Sequence, residues 1–78
     1  MEVVVAIVRS FVEEDLSRDT RHSEAEGKIR LIESGGEKFI QIDSFGSPSR
    51  EMPNKLSQSI RLTKEAVEQI TALAAKHF

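Results

Sequence analysis

Seventy-eight residues make one small domain, and a domain of this size hides a modest share of its unfolded surface, so its core is thin. With no cysteine, neither disulfides nor a thiolate metal site supplements that core, and self-association becomes the expected supplement. The net charge of -2 gives no general attraction for nucleic acid, but it is unevenly spread: residues 1–27 carry three basic and seven acidic side chains, residues 28–78 eight and six.

In chain order, Val3–Val12 is rich in β-branched residues, which suit a pleated surface, and is expected to be an N-terminal strand within residues 1–12. Its apolar run is continuous rather than alternating, so the strand is covered on both faces or packs on another subunit. The run Val3–Val8 is far shorter than the roughly 20 residues that span a bilayer, and Glu2 stands where a secretory signal is positive. A soluble, cytoplasmic protein with no membrane segment is the expectation. Glu13–Glu26 holds eight charged side chains among fourteen residues, too few apolar groups to offset the entropy of ordering, and residues 13–27 are read as a charged mobile loop.

Residues 28–78 spell strand, strand, strand, helix. Gly27 to Phe45 reads as a hairpin about Gly35 and Gly36, glycines being able to take the positive φ that a tight turn demands. Ile29, Leu31, Ile40 and Ile42 alternate with Lys28, Arg30, Phe39, Gln41, Asp43 and Phe45, which places the two sets on opposite faces. Ser44 to Asn54, with Gly46, Pro48 and Pro53, is a crossing loop. Ser57 to Leu62 alternates again, and at Thr63, a good N-cap, the period becomes helical. Val67, Ile70 and Ala74, with Ala66, Leu73 and Phe78, form the stripe expected to cover Ile29, Leu31, Ile40, Ile42, Ile60 and Leu62. The fold class is therefore α+β, a small antiparallel sheet of three to four strands in the order β-β-β-β-α, with one C-terminal helix packed on one face.

The uncovered face collects Lys28, Arg30, Phe39, Gln41, Phe45, Ser59 and Arg61. Phosphates want Lys or Arg and unpaired bases stack on aromatic rings, so these residues, together with Arg50 and Lys55 from the loop, suit single-stranded nucleic acid. Alternation of polar residues toward water accounts for the same pattern with no ligand at all. Asp43 to Arg50 concentrates hydroxyls, a carboxylate and a guanidinium, and reads as turn chemistry in which Arg50 pairs with Asp43 or Glu51. Neither His22 nor His77 has metal-ligand spacing, and no nucleophile and base are ordered together, so no metal, cofactor or enzymatic activity is expected. An activity through Asp43, Ser47 and Arg50 would require a pocket.

The stretch Phe39 to Arg50, read F-I-Q-I-D-S-F-G-S-P-S-R, followed by Lys55 to Leu62, K-L-S-Q-S-I-R-L, resembles small uncharacterised bacterial and phage proteins that share a Q-I-D-x-[FY]-G-S-x-x-R and K-x-S-Q-S-I block. In its order of elements the chain resembles the positive-cofactor-four family of transcriptional coactivators. Lys55, Ile60, Leu62, Glu65 and Ile70 fall where that family has its basic loop, last strand and helix start. This resemblance implies a curved four-stranded antiparallel sheet backed by one helix, dimeric and specific for single-stranded DNA. Ser59 to Ile70 is also similar to the start of a ribbon-helix-helix repressor, whose strands would read the major groove through Arg61. That pattern calls for a second helix, and no second helical period follows. The resulting expectation is a non-enzymatic homodimer that holds single-stranded nucleic acid on its open sheet face. The alternative is a protein-interaction module of bacterial or phage origin, acting through a strand edge or the N-terminal apolar strand.

Overall fold

The computed structural model describes residues 4–46 and 56–78. Four strands and a helix follow one another: β1 (Val4–Val8), β2 (Glu26–Ser34), β3 (Glu37–Phe45), β4 (Leu56–Leu62) and α1 (Lys64–His77). The class is α+β, in the expected element order, and the strands lie side by side as β1-β4-β3-β2.

The hairpin forms where expected. Gly35 and Gly36 both take positive φ, 61° and 79°, so two residues suffice to reverse the chain between β2 and β3. Its register sets Ile29 opposite Ile42, Leu31 opposite Ile40, Lys28 opposite Asp43 and Arg30 opposite Gln41. On the far side of β3, Ile42 faces Ile60, Ile40 faces Leu62, Gln41 faces Arg61 and Asp43 faces Ser59. A register shift between Ser44 and Phe45 ends the regular ladder. Most of the loop expected over Ser44 to Asn54 lies outside the described residues.

The N-terminal strand departs from expectation. It stops at Val8 rather than Val12, and it pairs parallel to β4, so the sheet is mixed rather than antiparallel. A parallel neighbour cannot be joined by a tight turn and needs a long connection. Here β2, β3 and their connections intervene between the parallel neighbours β1 and β4, and residues 9–25 join β1 to β2 at the opposite edge of the sheet; residues 13–25 contain no strand or helix and are exposed throughout. Polar groups hold the first part of this connection. Thr63 Oγ1 donates to the Arg9 carbonyl at 2.7 Å, and the Gln69 carboxamide both accepts from the Phe11 N–H at 2.8 Å and donates to the Phe11 carbonyl at 3.1 Å. Arg9 also pairs with Glu37 at 3.0 Å.

Thr63 does two jobs at the strand-to-helix junction. Its hydroxyl accepts from the Ala66 N–H at 3.2 Å, which caps the first turn of α1, while it reaches back to Arg9. Glu65 in the first turn and Lys76 and His77 in the last complement the helix dipole. The helix packs against β3 and β4, and Lys64, Val67 and Glu68 border a cleft of about 610 Å³ with Leu31, Ile40 and Leu62.

The expected core is only partly closed. Among the described residues the buried apolar side chains are Phe39, Leu62 and Ala66. Ile29, Leu31 and Ile42 stay 70 %, 85 % and 39 % exposed, and the helix stripe leaves Ile70 and Phe78 exposed as well. The reason is positional: β2 is the edge strand, and α1 packs on β3 and β4 without extending over it. No helix among the described residues is long and apolar enough to cross a membrane.

Candidate nucleic-acid interface

Strand alternation and register together place Lys28, Arg30, Phe39, Gln41, Phe45, Ser59 and Arg61 on one face of the sheet. Two cross-strand rows organise it. Arg30, Gln41, Arg61 and Ile7 form one, and Lys28, Asp43, Ser59 and Val5 the other. Arg50 and Lys55 lie outside the described residues.

Asp43 is the hub. Its carboxylate is buried, 3 % exposed at the residue, and Arg30 Nε donates to Oδ2 at 2.9 Å while Gln41 Nε2 donates to both oxygens at 3.0 and 3.1 Å. Gln41 in turn accepts from Arg61 Nε at 2.8 Å through its own carbonyl oxygen. One carboxylate thus orients two guanidinium groups, the first directly and the second through an amide relay. Hydrogen bonds from Ser59 first and Arg30 second hold the Asp43 carboxyl below its ordinary 3.8, against burial, which acts the other way. No buried side-chain polar atom among the described residues lacks a partner. Asp43 pairs across the hairpin with Arg30, its diagonal neighbour in the ladder and within reach of a long side chain; Arg50 and Glu51, which the turn reading paired with each other or with Asp43, lie outside the described residues.

The aromatic part of the expected site is different from the cationic part. Phe39 is buried at 6 % exposure, with Ile32 opposite it in the ladder and the Arg61 guanidinium 6.0 Å from its ring centre, so its ring is not offered to a base. Phe45 is half-buried and carries Lys28 Nζ 5.1 Å from its ring centre. Both rings are capped by cations of the chain itself.

Sequence reasoning did not assign Val5, Ile7 and Leu56 to this face. They border a hollow of about 680 Å³ together with Gln41, Ser59 and Arg61. The signal was the unbroken apolar run in the first strand, which offers aliphatic side chains to both faces; what it lacked was the neighbour, since nothing in the sequence says that β1 lies beside β4. As for an enzymatic centre, Asp43 is committed to its ring of donors, Ser47 and Arg50 lie outside the described residues, and no three His, Asp or Glu side chains among the described residues converge to hold a metal ion.

Compared with protein-family models, with curated proteins and with solved structures, the chain matches none.

Proposed function

We propose that this protein is a small homodimeric binding domain that holds single-stranded nucleic acid by its phosphate backbone across β2, β3 and β4. The observation that carries the reading is the Arg30–Asp43–Gln41–Arg61 relay: guanidinium groups from two different strands stand on one face in fixed orientation, with Lys28 in the adjacent row. Anchoring through Nε lowers the entropy cost of presenting a guanidinium to phosphate. The hollow beside Arg61, walled by Val5, Ile7 and Leu56, has room for an apolar contact with a base, the part assigned from sequence to Phe39 and Phe45. On this face Arg9, Lys28, Arg30 and Arg61 stand against Glu26, Glu37 and Asp43, a near balance, so binding should be modest, with a salt dependence set by the few cations that meet phosphate. A fluorescence-anisotropy titration with a labelled single-stranded oligonucleotide tests this. Binding that weakens as salt rises supports the reading, and no salt-dependent binding at low ionic strength overturns it.

A second reading is favoured by β1. It is an edge strand with Val5 and Ile7 exposed, a surface suited to a protein partner that adds a strand or packs on those side chains. In that case Val5→Asp abolishes the partner's binding, whereas Arg30→Glu with Arg61→Glu does not.

A further inference from the structure

We infer that the aliphatic face of the sheet, the one opposite the Arg30–Arg61 face, is where a second copy of this chain packs. The inference rests on the homodimeric part of the reading above and is independent of the nucleic-acid part. Register draws two aliphatic rows across all four strands: Ala6, Ile60, Ile42 and Ile29 in one, Val8, Leu62, Ile40 and Leu31 in the other. Of these eight side chains Leu62 is buried, Val8, Ile40 and Ile60 are half-buried, and Ala6, Ile29, Leu31 and Ile42 are exposed, Leu31 at 85 %. Three features point to a second copy as occupant. The buried apolar set among the described residues is Phe39, Leu62 and Ala66, of which the two larger keep 6 % and 4 % exposure, so the fold gains most from a cover that is present whenever the chain is present. The centre of the face carries no charge, and at its end Glu33 and Lys38 stand opposite each other, a pairing of signs that two identical surfaces can satisfy mutually. The extent also fits a weak association: four strands about 4.8 Å apart and three residue steps along them span roughly 400 Å² with side-chain margins. A patch of that size is comparable with the largest apolar patch of an ordinary monomer, which is often a contact site. Doubled across a two-fold axis it is roughly 800 Å² in total, below the about 1,200 Å² of stable specific interfaces and in the range of weak, concentration-dependent contacts. Packing centred on β2 and the adjoining part of β3, which α1 leaves uncovered, keeps both cationic faces outward.

The test is sedimentation velocity on the full chain across a concentration series, with isotope-filtered NOE spectra on a sample mixing labelled and unlabelled copies. The expected result is a species of twice 8.7 kDa, with intermolecular NOEs from the methyls of Ile29, Leu31 and Ile42. Leu31→Lys, at a site that contributes little to the monomer, should raise the dimer dissociation constant on the order of 30-fold, while Val5→Lys on the opposite face should leave it unchanged. A chain that stays at 8.7 kDa at the highest concentrations overturns the inference. So does a dimer whose intermolecular NOEs arise from Val5 and Ile7 instead. Because the NOE measurement uses the unaltered chain, its outcome does not depend on any variant folding. Anisotropy on the same samples separates the outcomes: a dimer without oligonucleotide binding fails the nucleic-acid reading alone, and binding by a monomer fails this inference alone.

Discussion

The two faces of one four-stranded sheet are finished in opposite ways. On the face of Lys28, Arg30 and Arg61, charged and amide groups are linked through Asp43, and a phenylalanine is sealed among them. On the other, two rows of aliphatic side chains meet water over much of their length. A polar surface satisfied by its own neighbours can close without help, because each donor finds an acceptor one strand away. An aliphatic surface closes only when something lies on it. The face that looks like a core by composition is therefore open wherever α1 does not reach, and the face that looks like solvent surface holds the most buried large ring.

That contrast can be broken most sharply by truncation. Phe39→Ala should cost about 3–5 kcal/mol, a large share of a small domain's total, whereas Leu31→Ala, measured by urea unfolding at concentrations low enough to hold the monomer, should cost well under about 1 kcal/mol. Equal costs would mean that the aliphatic face is covered within one chain. Next in size, Arg30→Glu combined with Arg61→Glu should weaken oligonucleotide binding on the order of 100-fold and lower the slope of log affinity against log salt by about 2. An unchanged slope would remove these residues from phosphate contact. At the junction, Thr63→Val loses both the helix cap and the tie to Arg9, for about 1–2 kcal/mol in denaturant titration. Gln69→Ala should cost about 0.5–1.5 kcal/mol and speed exchange of the Phe11 amide, whose acceptor it removes.

The pH response belongs to the polar face. The folded carboxyl of Asp43 titrates below the ordinary 3.8, so its contribution is fully present above that value. Below it the unfolded chain takes up the proton first, and the contribution shrinks until the folded carboxyl titrates too. Thermal unfolding followed by circular dichroism should show Asp43→Asn with a lower melting temperature than the parent at pH 6, and a smaller gap between the two as pH falls below 3.8. A gap that is constant with pH would mean that Asp43 carries no charge-dependent interaction.

Much of this was written locally in the chain. The Gly35–Gly36 reversal, the alternation that sorts Ile29, Leu31, Ile40 and Ile42 from Lys28, Arg30, Phe39 and Gln41, and the change of period at Thr63 are all set by residues within a few positions of one another. Local steric and hydrogen-bonding preferences decide such features, and they need no knowledge of the rest of the molecule.

What tertiary structure alone decided is which surfaces meet. The run Val4–Val8 specifies a strand, but its partner, β4, lies some fifty residues on, and its parallel direction is set by how the two intervening strands are placed in the sheet. Asp43 offers a carboxylate to any nearby donor, and only the ladder puts Arg30 and Gln41 within reach. Periodicity assigns a side chain to a face; whether that face is then covered depends on where a helix more than twenty residues away comes to rest, a choice made by packing across the whole fold.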